Sequence, residues 1–312
     1  MKKLLFILLL TIPFFGFGQN TGYHVDYGGS IHKTTDSGVN WTLQGQFTDG
    51  FSNQNFYFVD PTIGFFSTGS NIYKTSDSGV NWTLQNTIPF TGFVKNIYFI
   101  DTNTGYCSDN SNLYKTTDSG INWTLQNTIL NLGLISFVNS NIGYFTSGNS
   151  LYKTTDSGVN WTLQNTVSSG NSIYSISFIN STTGYYSDEN GIYKTTDSGI
   201  NWTNQNNTIL IWDISFVNSS LGYGNQNGNI YKTTDNGINW TLQYDFPLTE
   251  SGIRFIKNNI TYSSNIITQP SNRKMEKVVD VLGRETKPQT NTPFIEIYDD
   301  GTVENNSYRM KQ

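Results

Sequence analysis

The sequence predicts an all-β chain: a β-propeller of six blades, each of four antiparallel strands, followed by a small C-terminal β appendage. Three observations point there. The phrase YKTTDSGVNWTLQ at Tyr152–Gln164 recurs with little change from His32, Tyr73, Tyr114, Tyr193 and Tyr231. Its aspartate falls at 36, 77, 118, 156, 197 and 235, so the spacings are 41, 41, 38, 41 and 38 residues. A four-stranded propeller blade takes about 40–45 residues. Finally, 15% of the residues are aromatic, only 13% are charged, and 29 are glycine. That mix suits pleated strands and tight turns better than helices. No apolar periodicity of 3.6 residues supports a helical solenoid.

Each unit reads as four short strands joined at Gly, Asn and Asp turns. In residues 172–208 these are SIYSISFIN, GYYSDEN, GIYKTTD and NWTNQNN. The first alternates, with Ile176 and Phe178 on one face and Ser175 and Ser177 on the other. The same apolar pair returns as Phe56/Phe58, Ile97/Phe99, Ile135/Phe137, Ile214/Phe216 and Ile253/Phe255. One blade cannot bury that face alone, but a neighbouring blade can, which favours a closed ring. The first unit starts at Gly22 without its own first strand. Gly252–Ile256 is therefore expected to pair with it and close six blades; a degenerate seventh blade to about Gln269 is the alternative.

Within TTDSGVNW every residue has a structural task. The aspartate should accept hydrogen bonds from N–H groups two or three residues on. The glycine supplies a positive φ without steric cost. The tryptophan fills the gap between blades. Asp36, Asp77, Asp118, Asp156, Asp197 and Asp235, with Trp41, Trp82, Trp123, Trp161, Trp202 and Trp240, are thus read as turn and packing residues rather than as six catalytic sites. The box lysines at 33, 74, 115, 153, 194 and 232 read as exposed strand residues balancing the nearby aspartates. Cys107, the only cysteine, reads as a small buried hydrophobe and allows no intrachain disulfide.

The pattern [Ser/Thr]-x-Asp-x-Gly-x-[Thr/Asn]-Trp resembles the Asp-box, or BNR, repeat. Its frame is similar to propellers of the Ycf48 type and to sortilin-like repeats, over residues 22–264. That resemblance implies the propeller fold. It leaves function open, because Asp-boxes occur in sialidases, other glycoside hydrolases, receptors and non-enzymatic assembly factors.

The two ends carry different signals. Lys2 and Lys3, the apolar run Leu4–Phe17 and the small residues Gly16 and Gly18 read as a secretory signal peptide over residues 1–18. The run is too short for a comfortable membrane span. The propeller is assigned to 19–268 and the tail to 269–312. In the tail, VVDVLGRE (Val278–Glu285) and IYDDGTVE (Ile297–Glu304) resemble the sorting domain of the Bacteroidota type IX secretion system. That resemblance implies secretion machinery as a partner and a secreted or cell-surface location. The other reading is a plain β appendage.

The formal net charge of −5, with no basic stripe, argues against nucleic acid. His24 and His32 are too few for a metal cluster, and no phosphate loop or nucleophile elbow is visible, so no metal or cofactor is expected. A sialidase needs an arginine cluster to clamp a carboxylate. Here the first arginine is Arg254, followed by Arg273, Arg284 and Arg309. A glycosidase needs two carboxylates about 5–9.5 Å apart. Asp213, the one acid at its position in the innermost strands, with Asp188 or Glu189 in a nearby loop, forms the best pair. A non-catalytic binding role is the preferred reading. The loops leading into the innermost strands vary most and carry Phe47, Phe51, Phe90, Phe93, Tyr174, Trp212 and Phe246. Trp212, Asp213, Tyr174, Phe93 and Asp109 are the candidate contacts for a glycan or protein ligand. An assembly scaffold for a membrane complex is the third reading.

Overall fold

The computed structural model describes residues 21–26, 28–46, 55–87, 93–167, 170–246 and 252–256, and three tail strands at 275–280, 294–298 and 303–306. The expected signal peptide and Phe47, Phe51 and Phe90 lie outside the described residues. The chain divides into two units, residues 1–258 and 259–312.

The first unit is a propeller of six four-stranded antiparallel sheets. Five blades run in chain order, with inner strands Asn55–Phe58, Asn96–Phe99, Ile135–Phe137, Ser175–Phe178 and Asp213–Phe216. The first blade takes its inner strand, Gly252–Phe255, from the end of the unit. That strand pairs with Gly22–Val25, placing Tyr23 opposite Arg254. Each inner strand packs on the next around the ring. Ring closure thus proceeds as the sequence implied, and no seventh blade forms among the described residues.

What the blades bury explains the repeated letters. The Phe ending each inner strand stacks on the aromatic ring of the preceding blade's second strand. The six pairs are Tyr23–Phe58, Phe65–Phe99, Tyr106–Phe137, Tyr144–Phe178, Tyr185–Phe216 and Tyr223–Phe255, with centroids 3.3–3.6 Å apart. Every second strand begins with glycine because the same Phe ring lies over its backbone. A Cβ at Gly143, for example, would sit 2.5 Å from the Phe137 ring. The box tryptophans meet these rings edge-on, as Trp161 does with Phe137 at 6.2 Å. Cys107 is fully buried in this core.

The box turn is closed by side chains. In the fourth blade Thr154 Oγ1 donates to Asp156 Oδ1 at 2.8 Å and accepts from the Gly158 N–H. Asn160 donates its backbone N–H to Asp156 Oδ1 and its amide to Oδ2, at 2.8 and 2.7 Å. The main backbone donor therefore lies four residues on, not the two or three expected, because two residues rather than one take the left-handed conformation. Ser157 has φ 66° and Gly158 φ 88°. The extra reversal brings Asn160 back over the carboxylate. Its hydrogen bonds hold the Asp156 carboxyl below its ordinary range.

The lysines depart from their expected role as exposed strand residues. Each is half-buried, with its ammonium 5.6–5.8 Å from the centroid of its own blade's second-strand aromatic ring. Lys33 Nζ also donates to Pro61 O and Ser78 Oγ of the next blade, both at 2.8 Å. Cation–π attraction and a cross-blade bond make it an inter-blade strut rather than a surface counter-charge. The third-strand ladder shifts register at the same place in every blade, as between Leu151 and Tyr152. This bulge leaves the Gln of each TLQ phrase without a partner opposite it.

The second unit contains a three-stranded antiparallel sheet, Met275–Asp280, Phe294–Tyr298 and Val303–Asn306, with the middle strand between the other two. The first of these strands begins three residues before the VVDVLGRE motif, at Met275.

Candidate functional site

The inner strands line a central channel with a cavity of about 220 Å³. Its wall is stitched from blade to blade by side chains. Asn55 donates to Val94 O at 3.0 Å, and Asn96 to Gly133 O at 2.7 Å. Ser136, Ser177 and Ser215 accept the N–H groups of Phe178, Phe216 and Phe255 at 2.9–3.2 Å. Ser175 accepts the Ile214 N–H at 3.1 Å. An inner strand has a free edge toward the channel, and these contacts satisfy donors that would otherwise be unpaired.

Asp213 makes the stitch that closes the ring. Its Oδ2 accepts the Ile253 N–H at 2.9 Å from the final inner strand. Its Oδ1 accepts from Ser175 Oγ at 2.9 Å. Arg254 Nη1 reaches both oxygens, at 2.9 and 2.8 Å. The carboxylate is 19% exposed and the arginine side chain 37%. Burial opposes the Arg254 charge, but the adjoining Asp213 carboxylate outweighs it and raises the Arg254 pKa above its ordinary value. Arg254 has no assigned role in the sequence reading. The signal was present: Asp213 and Arg254 are the only charged residues in the six inner strands.

Trp212 and Tyr174 stand at the channel mouth, in matching places on neighbouring blades. Each donates its backbone N–H to its own second strand, Trp212 to Asn225 O and Tyr174 to Ser187 O. Lys95 and Gly133 make the same bond in their blades. Both aromatic side chains are 38% exposed and line the cavity with Asp213.

The other candidates lie elsewhere. Phe93 is 58% exposed but does not line the cavity. Asp109 closes its own turn, accepting the Ser111 and Asn112 N–H groups at 2.6 Å. Asp188 is the last residue of the strand Gly184–Asp188, not a loop residue, and is fully buried, accepting the Asn190 N–H at 2.8 Å. Glu189 is exposed in the adjoining turn and lines no part of the cavity. Phe246 is buried, stacked on His24 with centroids 4.0 Å apart. Among the described residues no group of three or more His, Cys, Asp or Glu side chains could hold a metal ion. No helix there is long and apolar enough to cross a membrane.

Solved structures resemble this one across most of its length. A Ycf48 protein bound to a D1 peptide aligns over 94% of this chain and 91% of its own, with 15% identity and a TM-score of 0.52. Ycf48 from Cyanidioschyzon merolae aligns over 92% and 91%, with 16% identity and a TM-score of 0.50. A chain of a nidogen/laminin complex aligns over 75% and 97%, with 11% identity and a TM-score of 0.64. The shared feature is the propeller. At these identities the likeness speaks for the fold alone. No family model matches the chain, and no curated protein matches it.

Proposed function

We propose that this propeller is a non-catalytic binding module that takes its ligand at the channel mouth framed by Trp212 and Tyr174. The observation that carries this reading is the pair itself. Two flat aromatic side chains, both 38% exposed, occupy matching positions of adjacent blades at the lip of a cavity where another blade has only Gly133. Exposed rings above a polar floor suit stacking with hydrogen bonds beneath. The ligand is a glycan, a peptide or an envelope protein. The Ycf48 structure with its D1 peptide and the nidogen/laminin complex make such a use of the fold reasonable.

Against hydrolysis stands the engagement of Asp213. A general base or nucleophile needs an oxygen free to meet a proton or a carbon. Both oxygens of Asp213 are held by Ser175, Ile253 and Arg254. Titration of the chain with a panel of oligosaccharides and peptides, repeated with Trp212→Ala, tests the reading. Loss of binding with unchanged melting temperature is expected. Turnover of any panel member, abolished by Asp213→Asn, would replace this reading with a glycoside hydrolase.

The module is exported by residues 1–18 and sorted to the surface or medium by residues 269–312. Support comes from the Lys2–Lys3 start with its apolar run and from the two tail motifs. Fractionation of cells expressing the full chain and a chain ending at residue 268 tests it. Retention of the full chain in the cytoplasm would refute export, and identical distribution of the two would refute sorting by the tail.

A further inference from the structure

The channel contains a hydrogen-bonding edge that the propeller leaves unused. All three hydrogen bonds of Arg254 leave from Nη1, two to Asp213 and one to Ile253 O at 2.7 Å. Nε and Nη2 bond to none of the described residues, yet the side chain is 37% exposed and lines the cavity. The open side of a planar fork is thus presented to the lumen, with its first edge fixed by Asp213. Such a fork matches the two oxygens of a carboxylate through parallel N–H bonds. Tyr57 stands beside it on the next blade, also lining the cavity, its ring 4.4 Å from that of Tyr98. Burial, the neighbouring Tyr98 phenol and a hydrogen bond with it push the Tyr57 pKa well above its ordinary value, so the Tyr57 phenol is engaged with Tyr98 and walls the site beside the arginine.

We propose that Arg254 receives the carboxylate of a ligand whose aromatic platform is Trp212 and Tyr174, and that the ligand is an oligosaccharide ending in a hexuronic acid. This rests on the channel-mouth reading above. The sugar is favoured over a peptide by what the wall offers. An extended peptide would look for unpaired strand N–H groups, but those of Phe178, Ile214, Phe216, Ile253 and Phe255 are already capped by side chains. Among the described residues, the hydroxyl hydrogens of Ser136 and Ser177 and the amide oxygens of Asn55 and Asn96 make no hydrogen bond. This scattered set of donors and acceptors suits sugar hydroxyls. Arg254 lies three residues down its inner strand from the mouth position, about 10 Å at ~3.3 Å per residue. The cavity of about 220 Å³ accepts a chain end over that depth. Asp213 neutralises the arginine, so discrimination comes from the short-range fork rather than from a long-range field.

Calorimetric titration of the full chain with tetragalacturonate and tetraglucuronate, their methyl esters and tetra-alanine as the free acid tests the assignment. One uronate should bind about tenfold more tightly than its ester, a difference of ~1.4 kcal/mol. Arg254→Lys keeps a cation for Asp213 but loses the fork. It should erase that difference, read as the ratio of acid to ester affinity within the one variant. Equal affinity for acid and ester, with Trp212→Ala weakening both, would overturn the carboxylate site and leave the mouth reading standing. Tetra-alanine binding as tightly as the uronates would overturn the sugar assignment. No saccharide binding at all would overturn the sugar proposal and leave the mouth reading to a peptide or protein ligand.

Discussion

The rim and the hub of this propeller treat repetition in opposite ways. At the rim, the box tryptophan donates to the glycine carbonyl three residues back in all six blades, at 2.9–3.1 Å. The threonine, aspartate and asparagine contacts recur with equal fidelity. At the hub, the position immediately before the inner strand's apolar pair changes around the ring: Asn55, Asn96, Leu134, Ser175, Asp213 and Gly252. The inward position after it carries Tyr57, Tyr98, Ser136, Ser177, Ser215 and Arg254. Bulky side chains occupy one half of the channel wall and serines the other. The rim turn satisfies itself within eight residues, so every blade can use the same solution. Hub residues must bond to the next blade and also share one lumen. Six identical large side chains would collide there, and six small ones would leave the lumen featureless.

The comparison can be broken by mutation, and the largest effect should come from the hub. Phe255→Ala removes the ring that stacks on Tyr223 and covers Gly22 in the ring-closing strand. A loss of about 3–5 kcal/mol is expected in denaturant unfolding, the usual cost of emptying a buried Phe site. A loss below 1 kcal/mol would mean that ring closure is not limited by this contact.

The next effect is one of pH. Burial, aided by the charge of His32, lowers the His24 pKa from 6.5 to about 3. Above pH 6.5 the histidine is neutral in both states and contributes no slope. As the pH falls below 6.5, the unfolded chain takes up a proton that the folded chain refuses. Stability should then drop by ~1.4 kcal/mol per pH unit for this residue, with the slope fading near the folded value. His24→Phe should flatten the curve between pH 6 and 4. An unchanged slope would assign the effect to other groups.

Asp213→Asn comes third. It keeps the shape but leaves Arg254 without its counter-charge in a half-exposed site, so about 1–2 kcal/mol is expected, less than for a fully buried pair. The smallest effect belongs to the rim. Asp77→Asn, Asp118→Asn and Asp156→Asn weaken exposed turns whose hydrogen bonds hold the carboxyls below their ordinary range. Each should lower the melting temperature slightly and by the same amount. Unequal effects among the three would show that the rim is less uniform than its geometry. Because these carboxyls are depressed in the folded chain, their contribution is present above the unfolded value and is lost as pH falls through the folded one.

Much of this was legible in the letters. The spacing of the aspartates gave the blade, the Ile/Phe pairs gave the buried face, and the missing first strand of the opening unit predicted closure by Gly252–Ile256, observed as the strand Gly252–Phe255. The box lysines were misread because the sequence places them beside aspartates, whereas folding places them over an aromatic ring and against the next blade. Phe246 read as a loop aromatic because the partner that buries it, His24, lies more than two hundred residues away. Arg254 was counted but given no role, since its partner Asp213 belongs to a different blade.

By itself, then, the sequence determined most of what closes locally: blade length, the place of the box turn and the residues that close it, and the alternation of the inner strands. These depend on residues a few positions apart, and their spacing is written directly. Only the tertiary structure decided which side chains meet across the ring: the Asp213–Arg254 pair, the lysine struts, and Trp212 with Tyr174 at one mouth. Those contacts join residues some forty positions apart, and their geometry exists only once the last strand has paired with the first blade.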